Sequence, residues 1–320
     1  MTNLSSQESD TVPHEGTGSR QWNTHMTIVA SKCRIAILFA VSAMVWNAPV
    51  NAHGFAGQRF FPAGLAVDDA FVADEADFVA GNSIVPEGST TNANDTSIAW
   101  DLSVELDQDL QVSIGNRFDR FTASGQARRE GWNDFDVGTK YQVFIDPTAE
   151  SAMSLELNAE IGNTGSRAVA DSFSNYGPAL VYSKGLGGLH EDWLRPFAFT
   201  AFVQPTIPTS PVGSREVQFG TSLQYSLPYL EDFVRDTGME EPFRNMVLLI
   251  EIPAAECLDN CSPGHRITGT INPGFVWVGR QSQLGFELTL PLNRDSGKGT
   301  GFLLQYHMYL DDIFFNKKWP

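Results

Sequence analysis

The stretch Ser97–Gly115, SIAWDLSVELDQDLQVSIG, alternates between apolar and polar residues at almost every position. Ile98 and Leu102 fall on one face of this pattern, and Asp101 and Glu105 fall on the other. Successive side chains of a β-strand point to opposite faces of the sheet. The stretch therefore predicts two strands joined by a tight turn, each with one apolar face and one wet face.

The same alternation recurs along the chain. Clear segments begin at Phe135, Met153, Val217, Leu284 and Phe302, and weaker ones lie at Tyr176–Lys184, Leu194–Gln204, Arg244–Pro253 and Arg266–Trp277. Repeated segments of this length, separated by alternating short and long connections, are the signature of a membrane β-barrel. One further strand predicted within Ala66–Val79 brings the number of strands to about twelve, which is even, as expected for a single-chain bacterial barrel. We therefore predict an all-β fold, a closed antiparallel transmembrane β-barrel of about 12 strands over residues 66–320.

A soluble sandwich or a lipocalin-like ligand-binding barrel would alternate in the same way, with its apolar face turned inward. Two features favour the membrane barrel. Charged and amide groups lie in mid-strand on the polar face, as a watery lumen allows. Aromatic residues also fall near predicted strand ends, where interfacial girdles lie; they are Trp100, Trp132, Trp193, Trp277 and Tyr309.

The N-terminus has the pattern of an export signal. Basic residues precede the apolar run Ile35–Trp46, and the small-residue ending Val50-Asn51-Ala52 follows it. We predict a signal peptide over residues 1–52, a periplasmic N-terminal segment over residues 53–65, and a location in the cell outer membrane. A retained N-terminal anchor is the alternative, although the run is short for a membrane-spanning helix.

Cys33 lies in the predicted signal peptide, so cleavage leaves the mature chain with Cys257 and Cys261 in the loop ECLDNCSPGH. Two cysteines close together in a turn-rich loop of an exported chain predict a disulfide. A metal site that also uses His265 is the alternative, but it leaves the usual set of four ligands incomplete.

The formal net charge of −17 argues against a nucleic-acid partner. The sequence has no G-x-S-x-G nucleophile motif and no H-E-x-x-H motif. We therefore predict no enzymatic activity and no cofactor. A copper site at His53, the predicted mature N-terminus, lacks an evident second ligand.

The polar faces of the strands predict the residues that line a pore. They are Asp101, Glu105, Asp136, Lys140, Glu156, Glu160, Gln218, Gln224, Glu287, Gln305 and His307. Carboxylates outnumber the one lysine in this set, so the pore is expected to favour cations or neutral solutes over anions.

The segments FDVGTKYQVF, EIGNTG and GRQSQLGFELTLPLNRDSGKG resemble those of transporter-like outer-membrane proteins, including proteins associated with meta-pathway phenol degradation. The final segment Gly301–Phe315 is similar to the C-terminal strand that the barrel assembly machinery reads, except that NKKWP follows it. The resemblance covers about residues 97–315.

The resemblance implies a passive channel or uptake porin in outer-membrane lipid. Its solutes would be small, with hydrophobic or aromatic ones as one option. The alternatives are a non-conducting structural or surface barrel and an outer-membrane enzyme. A lumen filled by side chains or by the N-terminal segment is also compatible with a barrel of this size.

Overall fold

The computed structural model describes residues 54–87, 91–261 and 267–310. The predicted signal peptide, His53, His265 and the chain after Leu310, which includes Phe315, lie outside the described residues.

Twelve long antiparallel strands form most of the described structure. They are β1 (Glu75–Glu87), β2 (Thr91–Asp107), β3 (Leu110–Ala123), β4 (Phe135–Asp146), β5 (Ser151–Ile161), β6 (Asn175–Gly185), β7 (Phe197–Pro208), β8 (Arg215–Ser226), β9 (Met246–Asp259), β10 (Ile267–Val278), β11 (Ser282–Pro291) and β12 (Gly301–Tyr309). Each strand pairs with the next along the chain. A short strand, Arg129–Trp132, also pairs with the end of β3.

The last strand closes the sheet onto the first. β12 pairs with β1 from Phe302 opposite Asn82 to Tyr309 opposite Glu75. Closure matters because lipid offers no partner for the unpaired N–H and C=O groups of an exposed sheet edge. The prediction of a closed antiparallel β-barrel of 12 strands is confirmed.

The barrel is apolar outside and polar inside. Ile98 is 56% exposed and Leu157 is 53% exposed on the outer surface, whereas Ser103 and Glu105 are 2% and 5% exposed. Apolar residues that point outward along the strands suit a lipid environment, and a soluble barrel would bury them. The lipocalin-like alternative is therefore wrong, and the chain is an outer-membrane β-barrel.

The two ends of the barrel differ in their connections. One end, here called the turn end, carries residues 108–109, 147–150, 186–196, 227–245 and 279–281. The other, the loop end, carries residues 124–134, 162–174, 209–214, 260–261 and 292–300. Residues 108–109, 147–150 and 279–281 are short, so the convention of short periplasmic turns predicts that the turn end lies in the periplasm, with residues 186–196 and 227–245 as exceptions.

Residues 227–245 form the longest turn-end connection. The helical turn Leu227–Tyr229 continues into a π-helical turn, Leu230–Val234, and a 3-10 turn follows at Phe243–Asn245. Within the described ranges, no helix has the length and apolar character needed to cross a membrane.

The N-terminal part of the barrel differs from the expected boundaries. The first barrel strand is Glu75–Glu87, so it overlaps the predicted range Ala66–Val79 only at residues 75–79. Residues 54–74, here called the plug segment, instead contact inward-facing groups of the barrel wall. Phe61 and Phe71 of this segment are buried in one cluster with inward-facing Val181. The apolar residues Val67, Phe71 and Val72 therefore fill the lumen, whereas Phe78 on β1 faces outward and is 44% exposed.

Tyr309 also differs from its expected place in an aromatic girdle. Its side chain is 5% exposed, and its hydroxyl accepts a hydrogen bond from Gln283. Its ring packs against that of His307 with 4.9 Å between ring centroids. Tyr309 therefore belongs to the lumen.

A charge placed on the lipid face tests this inside-out arrangement. Leu157→Arg is expected to destabilise the folded barrel by about 2–4 kcal/mol, because Leu157 lies near the middle of β5 on the outer surface. The matched control is Asn158→Arg, because Asn158 is the next residue of β5 and its own side chain lines the lumen. Equilibrium unfolding in urea with lipid vesicles measures both variants. Equal destabilisation by the two substitutions would contradict the assignment of faces.

Candidate functional site

The lumen holds two cavities above the plug segment. The mid-lumen cavity has a volume of about 460 Å³, and its floor is formed by plug residues that include Gly64 and Asp68. The mouth cavity has a volume of about 830 Å³ and is lined by residues near the loop end. Both cavities share the lining residues Asp136, Asn158, Gln204 and Gln218. The two cavities therefore adjoin one another between the mouth and the plug segment.

Arg59 anchors the plug segment at the turn end. Its side chain is fully buried, and its guanidinium donates hydrogen bonds to the carbonyl oxygens of Pro196, at 2.9 Å, and Arg195. It also lies 3.4 Å from a carboxylate oxygen of Glu150 and 3.5 Å from the ring centroid of Tyr229. Burial lowers the pKa of Arg59, and the Glu150 carboxylate opposes that shift. Arg59 thus joins three separate turn-end connections.

Glu150 completes this anchor. Its carboxylate accepts hydrogen bonds from the Tyr229 hydroxyl at 2.7 Å and from the Gly187 N–H at 3.0 Å. The plug turn at Gly57 has a φ of 65° and lies against Pro147, where a Cβ would collide with the Pro147 carbonyl oxygen. Glycine is required there by both conformation and space.

The middle of the plug segment is held by polar side chains of the wall. One oxygen of Glu251 on β9 accepts hydrogen bonds from the backbone N–H groups of Ala66, at 2.6 Å, and Val67, at 3.2 Å. Gln305 on β12 donates from Nε2 to the Gly64 carbonyl oxygen at 2.9 Å. These contacts satisfy backbone groups that would otherwise be buried without partners.

Lys140 holds the adjacent part of the plug segment. Its Nζ lies 2.7 Å from Asp68 Oδ2, donates to the Asp69 carbonyl oxygen at 3.0 Å, and lies 3.4 Å from Glu156 Oε1. Burial raises the pKa of Asp69 to about 6, and Lys140 opposes this shift. The positive charge of Lys140 is thus compensated by neighbouring carboxylates.

The plug segment ends beside the closure of the barrel. Asp74 accepts a hydrogen bond from the Glu105 N–H at 2.7 Å, and its carbonyl oxygen accepts one from the Leu310 N–H at 2.8 Å. Wall glutamines bind the residues before it: Gln142 donates to the Ala70 carbonyl oxygen, and Gln111 accepts from the Ala73 N–H. The plug segment therefore starts and ends at the turn end.

Acidic residues line one side of the lumen in a row. Strand register places His307 opposite Asp77, Asp77 opposite Asp101, Asp101 opposite Gly115, Gly115 opposite Asp136, and Asp136 opposite Glu160. We call the carboxylates Asp77, Asp101, Asp136 and Glu160 the acidic row, which Gly115 interrupts between Asp101 and Asp136. The strands of a barrel tilt relative to its axis, so a series of register partners changes height from one strand to the next. This series runs from His307, which lines the mid-lumen cavity, to Glu160, which lines the mouth cavity.

Partners within the lumen partly compensate the acidic row. His307 lies 3.4 Å from Glu75 and 3.5 Å from Asp77. Nearer the loop end, Arg117 lies 2.6 Å from Asp119 and also lines the mouth cavity. The linings still carry more carboxylates than basic groups, so the open part of the lumen has a negative potential.

Most of the sequence-predicted pore residues lie on the two cavities. Asp101, Asp136, Lys140, Glu156, Gln218, Gln305 and His307 line the mid-lumen cavity, and Asp136, Glu160 and Gln218 line the mouth cavity. Glu105, Gln224 and Glu287 are buried inward and are not among these lining residues. Glu251, Gln111 and Phe202 were not predicted, because the sequence pattern did not show that the plug segment enters the lumen.

The predicted disulfide is confirmed. Cys257 and Cys261 are bonded near the loop end, with 5.9 Å between their Cα atoms. The alternative metal site would also need His265, which lies outside the described residues. Among the described residues, no group of three or more His, Cys, Asp or Glu side chains could hold a metal ion.

The fold is similar to solved outer-membrane proteins at low sequence identity. The COG4313 outer membrane channel from Pseudomonas putida F1 matches with a TM-score of 0.51 and 13% identity, covering 82% of this chain and 99% of the channel. The KdgM porin matches with a TM-score of 0.44 and 10% identity, and the NanC porin with 0.44 and 8%. Each covers 73% of this chain and 98% of its own. No family model and no curated protein matches the sequence.

Removal of the Arg59 side-chain charge is expected to loosen the plug segment. Breaking a buried ion pair costs about 3–5 kcal/mol, so Arg59→Met should speed amide hydrogen exchange in residues 54–74 by about a hundredfold or more. The control is Arg120→Met, because Arg120 is half exposed at 50% and pairs with Glu130. Hydrogen exchange read by mass spectrometry measures both. Unchanged protection of the plug segment in Arg59→Met would show that Arg59 is not its anchor.

Proposed function

We propose that this protein is a passive outer-membrane channel that prefers cations over anions, and that the plug segment controls its opening. The observation that carries the proposal is the pair of adjoining cavities between the mouth and the plug segment, lined by the acidic row. Similarity of fold to the COG4313 channel supports the same function.

The charge of the lining supports the preference for cations. Fixed carboxylates in a narrow lumen with low-dielectric walls concentrate cations and exclude anions. Lys140 does not reverse this effect, because Asp68 and Glu156 lie within 3.4 Å of its Nζ. Arg117 is likewise paired with Asp119 and Asp95. The uncompensated charge facing the water is therefore negative.

The contacts of the plug segment suit a movable gate. Its hairpin, Phe55–Ala56 with Arg59–Phe60, forms a two-stranded sheet separate from the barrel sheet. Side chains of the wall bind it, as Glu251, Gln305 and Lys140 do. A neutral hydrogen bond such as that from Gln305 contributes about 1 kcal/mol, and those to the charged groups of Glu251 and Lys140 contribute about 1.5–3 kcal/mol each. The segment can therefore leave its seat without breaking the strand pairing that holds the barrel closed.

Ion selectivity in planar lipid bilayers tests the proposal. With a KCl gradient across the bilayer, the reversal potential should have the sign of a potassium-preferring channel. The double variant Asp136→Asn with Glu160→Gln should lower the permeability ratio of potassium to chloride, with the larger effect at low salt because screening is then weaker. Asp295→Asn, in an exposed part of a loop-end connection, is the control.

The plug segment supplies a second arm of this experiment. Arg59→Met should increase the open probability of the channel relative to the natural chain. A preference for chloride would overturn the proposed selectivity. Absence of conductance in both the natural chain and Arg59→Met would overturn the channel and favour a non-conducting structural barrel.

A further inference from the structure

The mid-lumen cavity has two chemically different walls. Facing the acidic row, β6, β7 and β8 present small or apolar residues to the lumen. Strand register places Val181 opposite Phe202, and Phe202 opposite Gly220. The ring of Phe202 covers Gly220, since a Cβ at Gly220 would collide with it. Val181 is 1% exposed beneath Phe61 and Phe71 of the plug segment, whereas Phe202 is only partly buried and lines the cavity. The apolar surface of this wall is therefore mainly the ring of Phe202.

The acidic wall contains a gap at Gly115. Asp101 on β2 and Asp136 on β4 are both register partners of Gly115 on β3. Two strand spacings separate their backbones by about 10 Å. Gly115 places no side chain between them, and a Cβ there would collide with the Asp101 carboxylate. A cationic group of a ligand can therefore approach both carboxylates.

Gln305 gives an independent indication of a ligand with hydrogen-bond donors. Its side chain is 3% exposed and lines the mid-lumen cavity. Nε2 donates to the Gly64 carbonyl oxygen at 2.9 Å, which fixes the orientation of the amide. Oε1 is buried and has no hydrogen-bond partner among the described residues. A buried acceptor without a partner is costly unless a donor is supplied.

We propose that the mid-lumen cavity binds organic ammonium ions that carry a compact aromatic or aliphatic body. The ammonium group lies against Asp101 and Asp136, and the apolar body lies against Phe202. The cavity volume of about 460 Å³ falls within the roughly 300–1,000 Å³ of small-molecule sites. This inference rests on the proposed channel and names its substrate class.

Binding to the folded barrel tests the inference without requiring conductance. Titration calorimetry in detergent micelles uses 2-phenylethylammonium as the probe. Its uncharged analogue 2-phenylethanol and the anion phenylacetate are compared at the same pH. The ammonium ion should bind at least about tenfold more tightly than the alcohol, as hydrogen bonds to charged groups predict. Phenylacetate should not bind measurably.

Matched variants distinguish binding in the mid-lumen cavity from non-specific adsorption to the micelle. Asp101→Asn retains an acceptor for the Ser103 hydroxyl, which donates to Asp101 at 3.0 Å, and it should weaken binding of the ammonium ion about tenfold. Its control is Asp295→Asn. Phe202→Leu keeps an apolar side chain beside the plug segment but removes the ring, and it should weaken binding several-fold. Its control is Phe199→Leu on the outer face of β7, and heat-modifiable gel mobility verifies that each variant is folded.

Two results would overturn the inference. One is equal affinity for 2-phenylethylammonium in Asp101→Asn, Phe202→Leu and the natural chain. The other is phenylacetate binding as tightly as the ammonium ion. A barrel that conducts potassium but fails these tests refutes only the substrate class. A barrel that binds the ammonium ion in the cavity but never conducts refutes only the proposed channel.

Discussion

The structure depends on pairing every backbone polar group of a chain that lies in lipid. An unpaired N–H or C=O group costs several kcal/mol in hydrocarbon, so a sheet in a membrane has to close. Pairing of β12 with β1 provides that closure. Once the sheet is closed, each strand has one face toward lipid and one toward the lumen, and the alternation of Ile98 and Leu102 with Asp101 and Ser103 follows from it.

Closure creates an interior that side chains of the wall only partly fill. The plug segment occupies the turn-end half, and its contacts are unlike those of a typical protein core. Charged groups make many of them: Arg59 with Glu150, Lys140 with Asp68, and Glu251 with backbone N–H groups. Such contacts fix one position of the segment because each buried charge needs its particular partner, while they add less net stability than their number suggests.

The register of the strands then determines the chemistry of the open half. Residues that are far apart in the chain become neighbours around the wall, as His307 and Asp77 do. The acidic row arises on β1, β2, β4 and β5 in this way, and Val181 and Phe202 come together on the opposite side. A ligand in the mid-lumen cavity therefore meets charge on one side and apolar surface on the other.

The sequence by itself determined the fold class, the approximate number of strands, the inward set of polar residues and the disulfide between Cys257 and Cys261. Each of these depends on local spacing, because a period of two assigns a side chain to a face whatever lies beyond it. Only the tertiary structure decided that residues 54–74 enter the lumen, that Lys140 binds Asp68, and that Asp101 and Asp136 flank Gly115. These features depend on contacts across the lumen and on the register between strands. An alternating pattern assigns a side chain to one face of the sheet, but it does not identify the residues that lie next to that side chain.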